Sequence, residues 1–318
     1  MKPAAIVTAI VAATLFAACS GGAQPVVPAQ GPGAAAAVHE ATTPRESGAA
    51  VRGQAAGGGL VYVSDDANDV IAVFQRDGTR VATITDALNY PQGLYVDGGH
   101  HLWVANRGAS NVLEFARGGS QPIATLDDDG WQPQGVTVCP DGSVYVANIL
   151  ANSGGGGNVL AFAPGQTTAA RTLTYEGGAF FYPACDAHGN VFVTLVLGTS
   201  GTVVEFPHGR QAGASMLPIV MGGNPAGIAV DNAGKLLVEL PGPQGQAVEY
   251  TESGTPTGLA LDTPGWNQIA LDRRGNLLLG STGNGAASIA FPSGAHRRGY
   301  RSKEFVQPIG VAIDPGRY

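Results

Sequence analysis

The repeat that decides the fold reads PQGLYVD at residues 91–97 and continues as HLWVAN at residues 101–106. An apolar run ends at a turn signal and a second strand-like run follows, which predicts a β-hairpin. The end of the first run recurs at six positions, Asp97, Cys139, Asp186, Asp231, Asp272 and Asp314, at intervals of 42, 47, 45, 41 and 42 residues. A period in the forties, with short strands broken by Gly, Pro and Asn, is typical of a β-propeller blade.

The copies keep the pattern to different degrees. First runs lie at residues 133–139, 225–231 and 266–272, with second runs at residues 144–148, 236–239 and 277–279. The weakest copy replaces the opening Pro-x-Gly with Phe180, Phe181 and Tyr182 but keeps Asp186. We therefore expect the channel to have a different shape beside that blade. Each copy continues with a third strand in which an acidic or small residue precedes an aromatic one, as at residues 114–115.

The two ends of the repeat region predict how the ring closes. Residues 308–314 form a first run without a second, and residues 60–65 form a second run without a first. The C-terminal strand should therefore complete the first blade. The sequence predicts an all-β, six-bladed propeller, closed so that no blade edge is left unpaired at the join.

This repeat resembles that of NHL-type six-bladed propellers, from about residue 60 to the end of the chain. In architecture the chain is also broadly similar to lactonase-like and TolB-like propellers. The resemblance implies a fold rather than an activity, because scaffolds, ligand binders, lyases and lactonases share such repeats.

The N-terminus predicts export. Residues 1–18 carry one basic residue and then an apolar stretch that leads to Cys19. This segment resembles a bacterial lipoprotein signal peptide, which implies lipidation of Cys19 and attachment to a membrane. The departure from that pattern is Phe16, and an ordinary secretory signal cut near Ala18 is the alternative. By resemblance to lipoprotein sorting in two-membrane bacteria, Ser20 after the cysteine implies the outer membrane or cell surface within the cell envelope.

Composition separates a tether from the propeller. Residues 19–59 are rich in Ala, Gly and Pro and have almost no bulky apolar side chains, so the sequence predicts a disordered tether. A flexible coil of about 40 residues spans on the order of 35 Å. The predicted domains are thus the signal peptide at 1–18, the tether at 19–59 and the propeller at 60–318. The formal net charge of −7 makes a nucleic-acid partner unlikely on physical grounds.

Cys139 and Cys185 remain as an even pair in an exported protein, where disulfides persist. They occupy corresponding strands of neighbouring blades, and such strands diverge. Their Cα separation is therefore expected to approach or exceed the roughly 7 Å limit for a bridge. A disulfide and two small buried thiols are both compatible with the sequence.

Polar side chains are predicted at the channel mouth where the chain enters the inner strands. The candidate ligand-binding residues are Asp65, Gln92, Asn106, Gln134, Asn148 and Asn267. Phe181, Leu195 and Leu240 would form an apolar wall opposite them, an arrangement suited to a small molecule. The alternative is that the Asn and Asp side chains bind backbone N–H groups of local turns.

Resemblance to lactonase propellers implies one divalent cation held by oxygen ligands at the channel mouth. Asp65, Asn106 and Asn148 match such ligands, whereas Glu239 lies one place too early in its strand, and the glutamate that begins the first blade of those enzymes has no counterpart. The six histidines, at positions 39, 100, 101, 188, 208 and 296, are predicted in the tether, turns and outer hairpins. None of them is expected to hold zinc in the channel or to act as a base there.

We therefore predict a monomeric, non-catalytic, lipid-anchored envelope propeller that binds a protein, a glycan or a small molecule. No catalytic residue, metal site or cofactor is assigned. The alternatives are a lactonase-like hydrolase that uses Ca²⁺ or another divalent cation, and a structural envelope protein whose channel mouth is filled by its own side chains.

Overall fold

The computed structural model describes residues 58–222, 226–240, 245–263, 268–272, 274–281, 285–291 and 293–314. The predicted signal peptide, Cys19, almost all of the predicted tether and Asn267 lie outside these residues. Two short 3-10 turns occur, at Arg107–Ala109 and Pro207–Gly209. No helix in the described ranges has the length and apolarity needed to cross a membrane.

The remaining regular secondary structure of the described chain consists of β-strands. In chain order they are β1 (Leu60–Asp65), β2 (Val70–Gln75), β3 (Arg80–Ile84), β4 (Pro91–Val96), β5 (Leu102–Asn106), β6 (Asn111–Phe115), β7 (Pro122–Asp127), β8 (Trp131–Val138), β9 (Val144–Ala151), β10 (Asn158–Phe162), β11 (Arg171–Leu173), β12 (Ala179–Cys185), β13 (Val191–Leu197), β14 (Ser200–Phe206), β15 (Ser215–Met216), β16 (Ile228–Val230), β17 (Leu236–Leu240), β18 (Gly245–Tyr250), β19 (Pro256–Thr263), β20 (Ile269–Leu271), β21 (Asn276–Ser281), β22 (Gly285–Ala290), β23 (His296–Arg301) and β24 (Pro308–Ile313).

These strands form six antiparallel sheets of four strands each, which are the blades. Blade 1 has the order β24-β1-β2-β3, and blades 2 to 6 each take four consecutive strands, starting at β4, β8, β12, β16 and β20. The six-bladed propeller and its completion by the C-terminal strand are confirmed. The inner strand of each blade runs from the loop face, where the chain enters the blade, to the hairpin face, where it turns into the second strand.

The apolar core lies between neighbouring blades. One cluster combines Tyr62 and Val73 of blade 1 with Leu94, Leu102 and Phe115 of blade 2. These five side chains are at most 1% exposed. Because middle strands are covered on both faces, their sequences are nearly continuous apolar runs rather than strict alternations.

The recurring aspartate holds the hairpin turn in blades 2, 4, 5 and 6. Asp97 Oδ1 accepts hydrogen bonds from the backbone N–H groups of Gly99, at 2.8 Å, and His101, at 2.9 Å. The same pair of bonds is made by Asp186 to residues 188 and 190, by Asp231 to residues 233 and 235, and by Asp272 to residues 274 and 276. The aspartate carboxylate after the inner strand thus accepts hydrogen bonds from backbone N–H groups that find no backbone acceptor in the tight turn.

Cys139 takes the aspartate position in blade 3 and forms a disulfide with Cys185 of blade 4. The two Cα atoms are 5.4 Å apart. The expected divergence of the two inner strands is therefore not large enough here to prevent a bridge. In this hairpin the Asp141 carboxylate accepts a hydrogen bond from the Ser143 N–H. The turn therefore still contains a carboxylate, two residues after Cys139.

Ring closure combines strand pairing with a buried carboxylate. β24 pairs with β1 through Val61 opposite Ile313 and Val63 opposite Val311. Asp314 follows β24 and is fully buried. Arg117 Nε donates to Asp314 Oδ2 at 2.5 Å. His100 Nδ1 lies 2.7 Å from Asp314 Oδ1. The last described residue is thus fixed to two side chains of blade 2.

Strand-end side chains hold the loops on the loop face. Asp65 accepts from the backbone N–H groups of Val306 and Gln307, at 2.8 and 2.9 Å, just before β24. Asn106 accepts from the Asn89 N–H at 2.7 Å, just before β4. In each case the end of the second strand fixes the loop that enters the inner strand of its own blade.

The third such contact is made by a buried pair of side chains, Asn148 and Asp128. Asn148 Nδ2 donates to Asp128 Oδ1 at 3.2 Å and to Asn158 Oδ1 at 2.8 Å. Asp128 and Asn148 are both fully buried. Burial raises the pKa of Asp128 to about 8, although the hydrogen bond from Asn148 lowers it in part. Asp128 is therefore largely protonated in the folded protein at neutral pH.

Replacement of Asp314 by Asn should lower the free energy of unfolding by about 3 kcal/mol, because the partly buried Arg117 loses its carboxylate partner. Equilibrium unfolding in urea measures the change. The control is Asp262→Asn, which alters an exposed carboxylate and should change the stability by less than about 0.5 kcal/mol. Equal stabilities for the two variants would contradict this role of Asp314.

Asp128→Asn should weaken the pH dependence of stability. The folded-state pKa of about 8 lies above an unfolded value near 4, so only the folded state keeps the proton between these values. The contribution is complete below about pH 4 and is lost as the pH rises towards 8, at up to about 1.4 kcal/mol per pH unit. Urea unfolding at a series of pH values should show a smaller slope for the variant. Parallel slopes would show that Asp128 does not hold this proton.

Candidate functional site

The predicted ligand-binding residues separate into two groups. Asp65, Asn106 and Asn148 are fully buried and bind the loop segments described above. Their ligand-binding role stays a prediction. The hydrogen bonds of Asp65 and Asn106 match the alternative of binding backbone N–H groups, whereas Asn148 donates to two side chains. Asn267 lies outside the described residues.

Gln92 and Gln134 are brought together on neighbouring inner strands. Gln134 Nε2 donates to Gln92 Oε1 at 3.0 Å and to the Tyr182 hydroxyl at 3.1 Å. Gln92 Nε2 donates to Asp66 Oδ2 at 2.9 Å. Burial raises the pKa of Asp66 to about 6, and the Gln92 bond opposes that shift. These side chains form a hydrogen-bonded layer across part of the channel.

Gln268 adds a further link inside the channel. Its Oε1 accepts from the backbone N–H groups of Leu94 at 2.8 Å and Val311 at 3.0 Å, and its Nε2 donates to the Leu94 carbonyl at 2.6 Å. One side chain of blade 6 therefore connects the inner strands of blades 1 and 2. Asn267, the predicted binding residue beside it, lies outside the described residues, and Gln268 was not singled out from the sequence.

Open space lies at the opposite end of the channel. A cavity of about 760 Å³ opens on the hairpin face. It adjoins a narrower cavity of about 290 Å³ between the inner strands, and both are lined by Tyr95, Asp97, Cys185 and Val230. The larger cavity has the size of a small-molecule site. It is the candidate functional site, which we call the hairpin-face cavity.

Negative charge dominates this cavity. Its lining includes four carboxylates, those of Asp97, Asp186, Asp231 and Glu252, and the described lining residues include one histidine, His188, but no lysine or arginine. Apolar surface comes from side chains such as Val138 and Val230, and the Cys139–Cys185 disulfide lies in the wall.

The hairpin turns hold the carboxylates in place. Asp97, Asp186 and Asp231 each use one carboxylate oxygen to accept hydrogen bonds from backbone N–H groups of their own hairpin turn. Glu252 lies in the turn between β18 and β19, and its Oε1 accepts from Asn190 Nδ2 at 3.0 Å. Burial, together with the negative charges of Glu252 and Asp186, raises the pKa of nearby Glu205. The cavity is therefore a fixed, electronegative surface suited to hold a cation.

Part of the ligand set implied by the lactonase resemblance is already engaged in hydrogen bonds. Both carboxylate oxygens of Asp65 accept backbone hydrogen bonds, and the Asn106 oxygen accepts from Asn89. Burial raises the pKa of Glu239 to about 8, with a weaker opposing bond from Thr263. The Asp65 and Asn106 oxygens would have to leave these partners to coordinate a metal, whereas Asn148 Oδ1 and Glu239 Oε2 accept no hydrogen bond from the described residues.

The sequence indicated the hairpin aspartates only as turn residues. Their common placement followed from the repeat, because each one ends an inner strand and all inner strands run towards the same face. What the sequence did not show was the depth of the space between them, which depends on how the six blades tilt and pack.

No protein-family model and no curated protein matches this chain. Solved structures do match. A chain of a nidogen–laminin complex superposes with a TM-score of 0.65 at 12% identity, covering 81% of this chain and 98% of the other. Streptogramin B lyase gives a TM-score of 0.57 at 13% identity, covering 81% and 87% of the two chains. A protein of unknown function from Bacteroides caccae gives 0.59 at 14% identity, covering 81% and 99%.

At 12 to 14% identity these likenesses show the fold and nothing finer. The neighbours include an enzyme and a protein from a binding complex, so the shared architecture does not choose between those classes. The chain is a six-bladed β-propeller similar in fold to both.

Proposed function

We propose that this protein is a non-catalytic, lipid-anchored binding protein of the cell envelope that takes a small organic cation into the hairpin-face cavity. The observation that supports this function best is the combination of a cavity of about 760 Å³ with four lining carboxylates. A concave, low-dielectric surface of one charge sign concentrates the opposite charge.

The cavity also offers contacts for the uncharged part of such a ligand. Tyr95, Val138 and Val230 provide apolar surface beside the carboxylates. A pocket that combines apolar walls with a few fixed polar groups is the usual form of a small-molecule site. Because the turns already hold the carboxylates, binding would require little ordering of side chains, which favours affinity.

The chemistry of the lining supports binding rather than catalysis. The two cysteines in the wall are joined in a disulfide, so neither supplies a thiolate nucleophile. The described lining residues contain no serine, threonine or lysine. A serine, threonine, cysteine or lysine nucleophile is therefore not supplied by these side chains.

The proposal of export rests on the N-terminal sequence. Residues 1–18 have the pattern of a lipoprotein signal, and Cys19 is the proposed lipidation site. A disulfide between Cys139 and Cys185 supports the same conclusion, because such bonds persist mainly in oxidising compartments.

A structural envelope protein is the second candidate. It predicts a channel mouth filled by the protein's own side chains, and the layer formed by Gln92, Gln134 and Tyr182 favours this at the loop face. A structural role also predicts that the protein has no pocket, and the hairpin-face cavity argues against this second expectation.

Titration of spermidine into the purified full-length chain, held in a non-ionic detergent, tests the binding proposal by calorimetry. The double variant Asp231→Asn with Glu252→Gln should bind at least about tenfold more weakly, because two carboxylates worth roughly 1 kcal/mol or more are removed from the site. The matched control is Asp77→Asn with Asp262→Asn, which removes two exposed charges outside the cavity. Equal weakening in both double variants, or no binding by the wild type, would reject the site.

Lipid anchoring is tested separately from ligand binding. In bacteria that process lipoproteins, the wild-type chain should partition into the detergent phase of a phase-separating detergent, and Cys19→Ala should move it to the aqueous phase. The change removes the acyl chains that would hold the mature protein to a membrane. A wild-type chain found in the aqueous phase would show that Cys19 carries no lipid, whatever the calorimetric result.

A further inference from the structure

Three metal-ligating side chains meet beside the hairpin of blade 2. His101 Nδ1 lies 2.6 Å from Glu114 Oε1 and 3.8 Å from Asp97 Oδ2. The three ligand atoms all lie within 4.8 Å of one another. The side chain of His101 is 40% exposed, whereas those of Asp97 and Glu114 are 14% and 15% exposed. We infer that Asp97, His101 and Glu114 form a binding site for a divalent transition metal such as Zn²⁺.

The distances suit a metal of this size. Zinc binds imidazole nitrogen and carboxylate oxygen at about 2.0 to 2.2 Å, which sets neighbouring ligands of a tetrahedral site roughly 3.4 Å apart. The observed separations of 2.6 and 3.8 Å lie on either side of that value. A movement of the exposed His101 ring by less than about 1 Å would equalise them. Water would occupy the remaining coordination position.

Outer contacts already orient one of the ligands. Asp97 Oδ1 is held by the N–H groups of Gly99 and His101, and Asp97 Oδ2 accepts from Trp103 Nε1 at 2.9 Å. Trp103 is only 8% exposed. Hydrogen bonds of this kind fix a carboxylate ligand and strengthen metal binding. A bound metal would share Asp97 Oδ2 with the indole N–H.

Blade 5 shows what the same arrangement looks like without a metal ligand. Asp231 binds its turn as Asp97 does, and Lys235 takes the place of His101. Lys235 Nζ lies 3.0 Å from Glu249 Oε2, the counterpart of Glu114. The lysine supplies a permanent positive charge beside the Glu249 carboxylate. The neutral imidazole in blade 2 can instead offer a nitrogen lone pair to a metal.

The donor atoms indicate the class of metal. One imidazole nitrogen and two carboxylate oxygens suit Zn²⁺, Co²⁺, Ni²⁺ or Mn²⁺. Ca²⁺ and Mg²⁺ prefer oxygen ligands only and would not use the histidine. Dependence of the affinity on His101 therefore separates a transition-metal site from nonspecific attraction of cations to acidic residues.

Zinc chloride titrated into the untagged, chelator-treated full chain tests the site by calorimetry, with the visible absorption of bound Co²⁺ as a second measurement. We expect one equivalent of zinc to bind the wild type with a micromolar dissociation constant. His101→Lys, which copies blade 5, should weaken binding more than 100-fold and abolish the Co²⁺ spectrum. Wild-type binding that is absent below millimolar zinc, or equal in the two proteins, would overturn the inference.

Two further variants make the result independent of folding defects and of the cationic-ligand proposal. Glu114→Gln should weaken zinc binding at least tenfold, and urea unfolding would check that each variant is folded. The double variant Asp231→Asn with Glu252→Gln should keep its zinc affinity within about twofold while it loses spermidine binding. A parallel loss of both ligands in that variant would show that zinc binds the hairpin-face cavity instead, and would reject the three-residue site.

Discussion

The antiparallel pairing of β24 with β1 joins the two ends of the described chain and closes the ring of blades. Each blade packs against two neighbours, so a ring that opened between blades 6 and 1 would expose two apolar faces. The cluster that contains Val61, Phe74, Leu278 and Val311 lies at this junction. Because blade 1 is shared between both ends of the chain, the sheet itself closes the ring. The buried charge of Asp314 then adds direct contacts to blade 2.

The closed ring also explains why the aspartates of separate hairpin turns together form a negatively charged surface. The six inner strands run in the same direction, so a carboxylate that completes each hairpin must lie on the same face as the others. Asp97, Asp186 and Asp231 each satisfy backbone N–H groups and at the same time line one cavity. The negative field of the hairpin face is thus a consequence of how the blades turn, and Glu252 adds to it from an outer turn.

The architecture was predictable because its signals are local and repeated six times. The strand that begins at Ala179 was recognised despite its altered opening, since Asp186 and the following apolar run were kept. The site was less predictable. Whether Gln134 contacts a ligand or Gln92 depends on the rotation of neighbouring inner strands. The contact between His101 and Glu114 was readable in part, because Lys235 and Glu249 repeat it with nearly the same spacing. Finding this contact from the sequence requires an alignment of the second and third strands of blade 2 with those of blade 5.

The disulfide between Cys139 and Cys185 has a practical consequence for experiments. It closes a segment of 46 residues and forms part of the cavity wall, so the wall is covalently fixed only after oxidation. Protein produced in a reducing cytosol would begin as the dithiol. Thiol reductants in an assay buffer could return it to that form. Samples from different expression hosts would then differ in the rigidity of one wall while sharing the same sequence. The oxidation state of these two sulfurs should therefore be measured by mass spectrometry before any two preparations are compared.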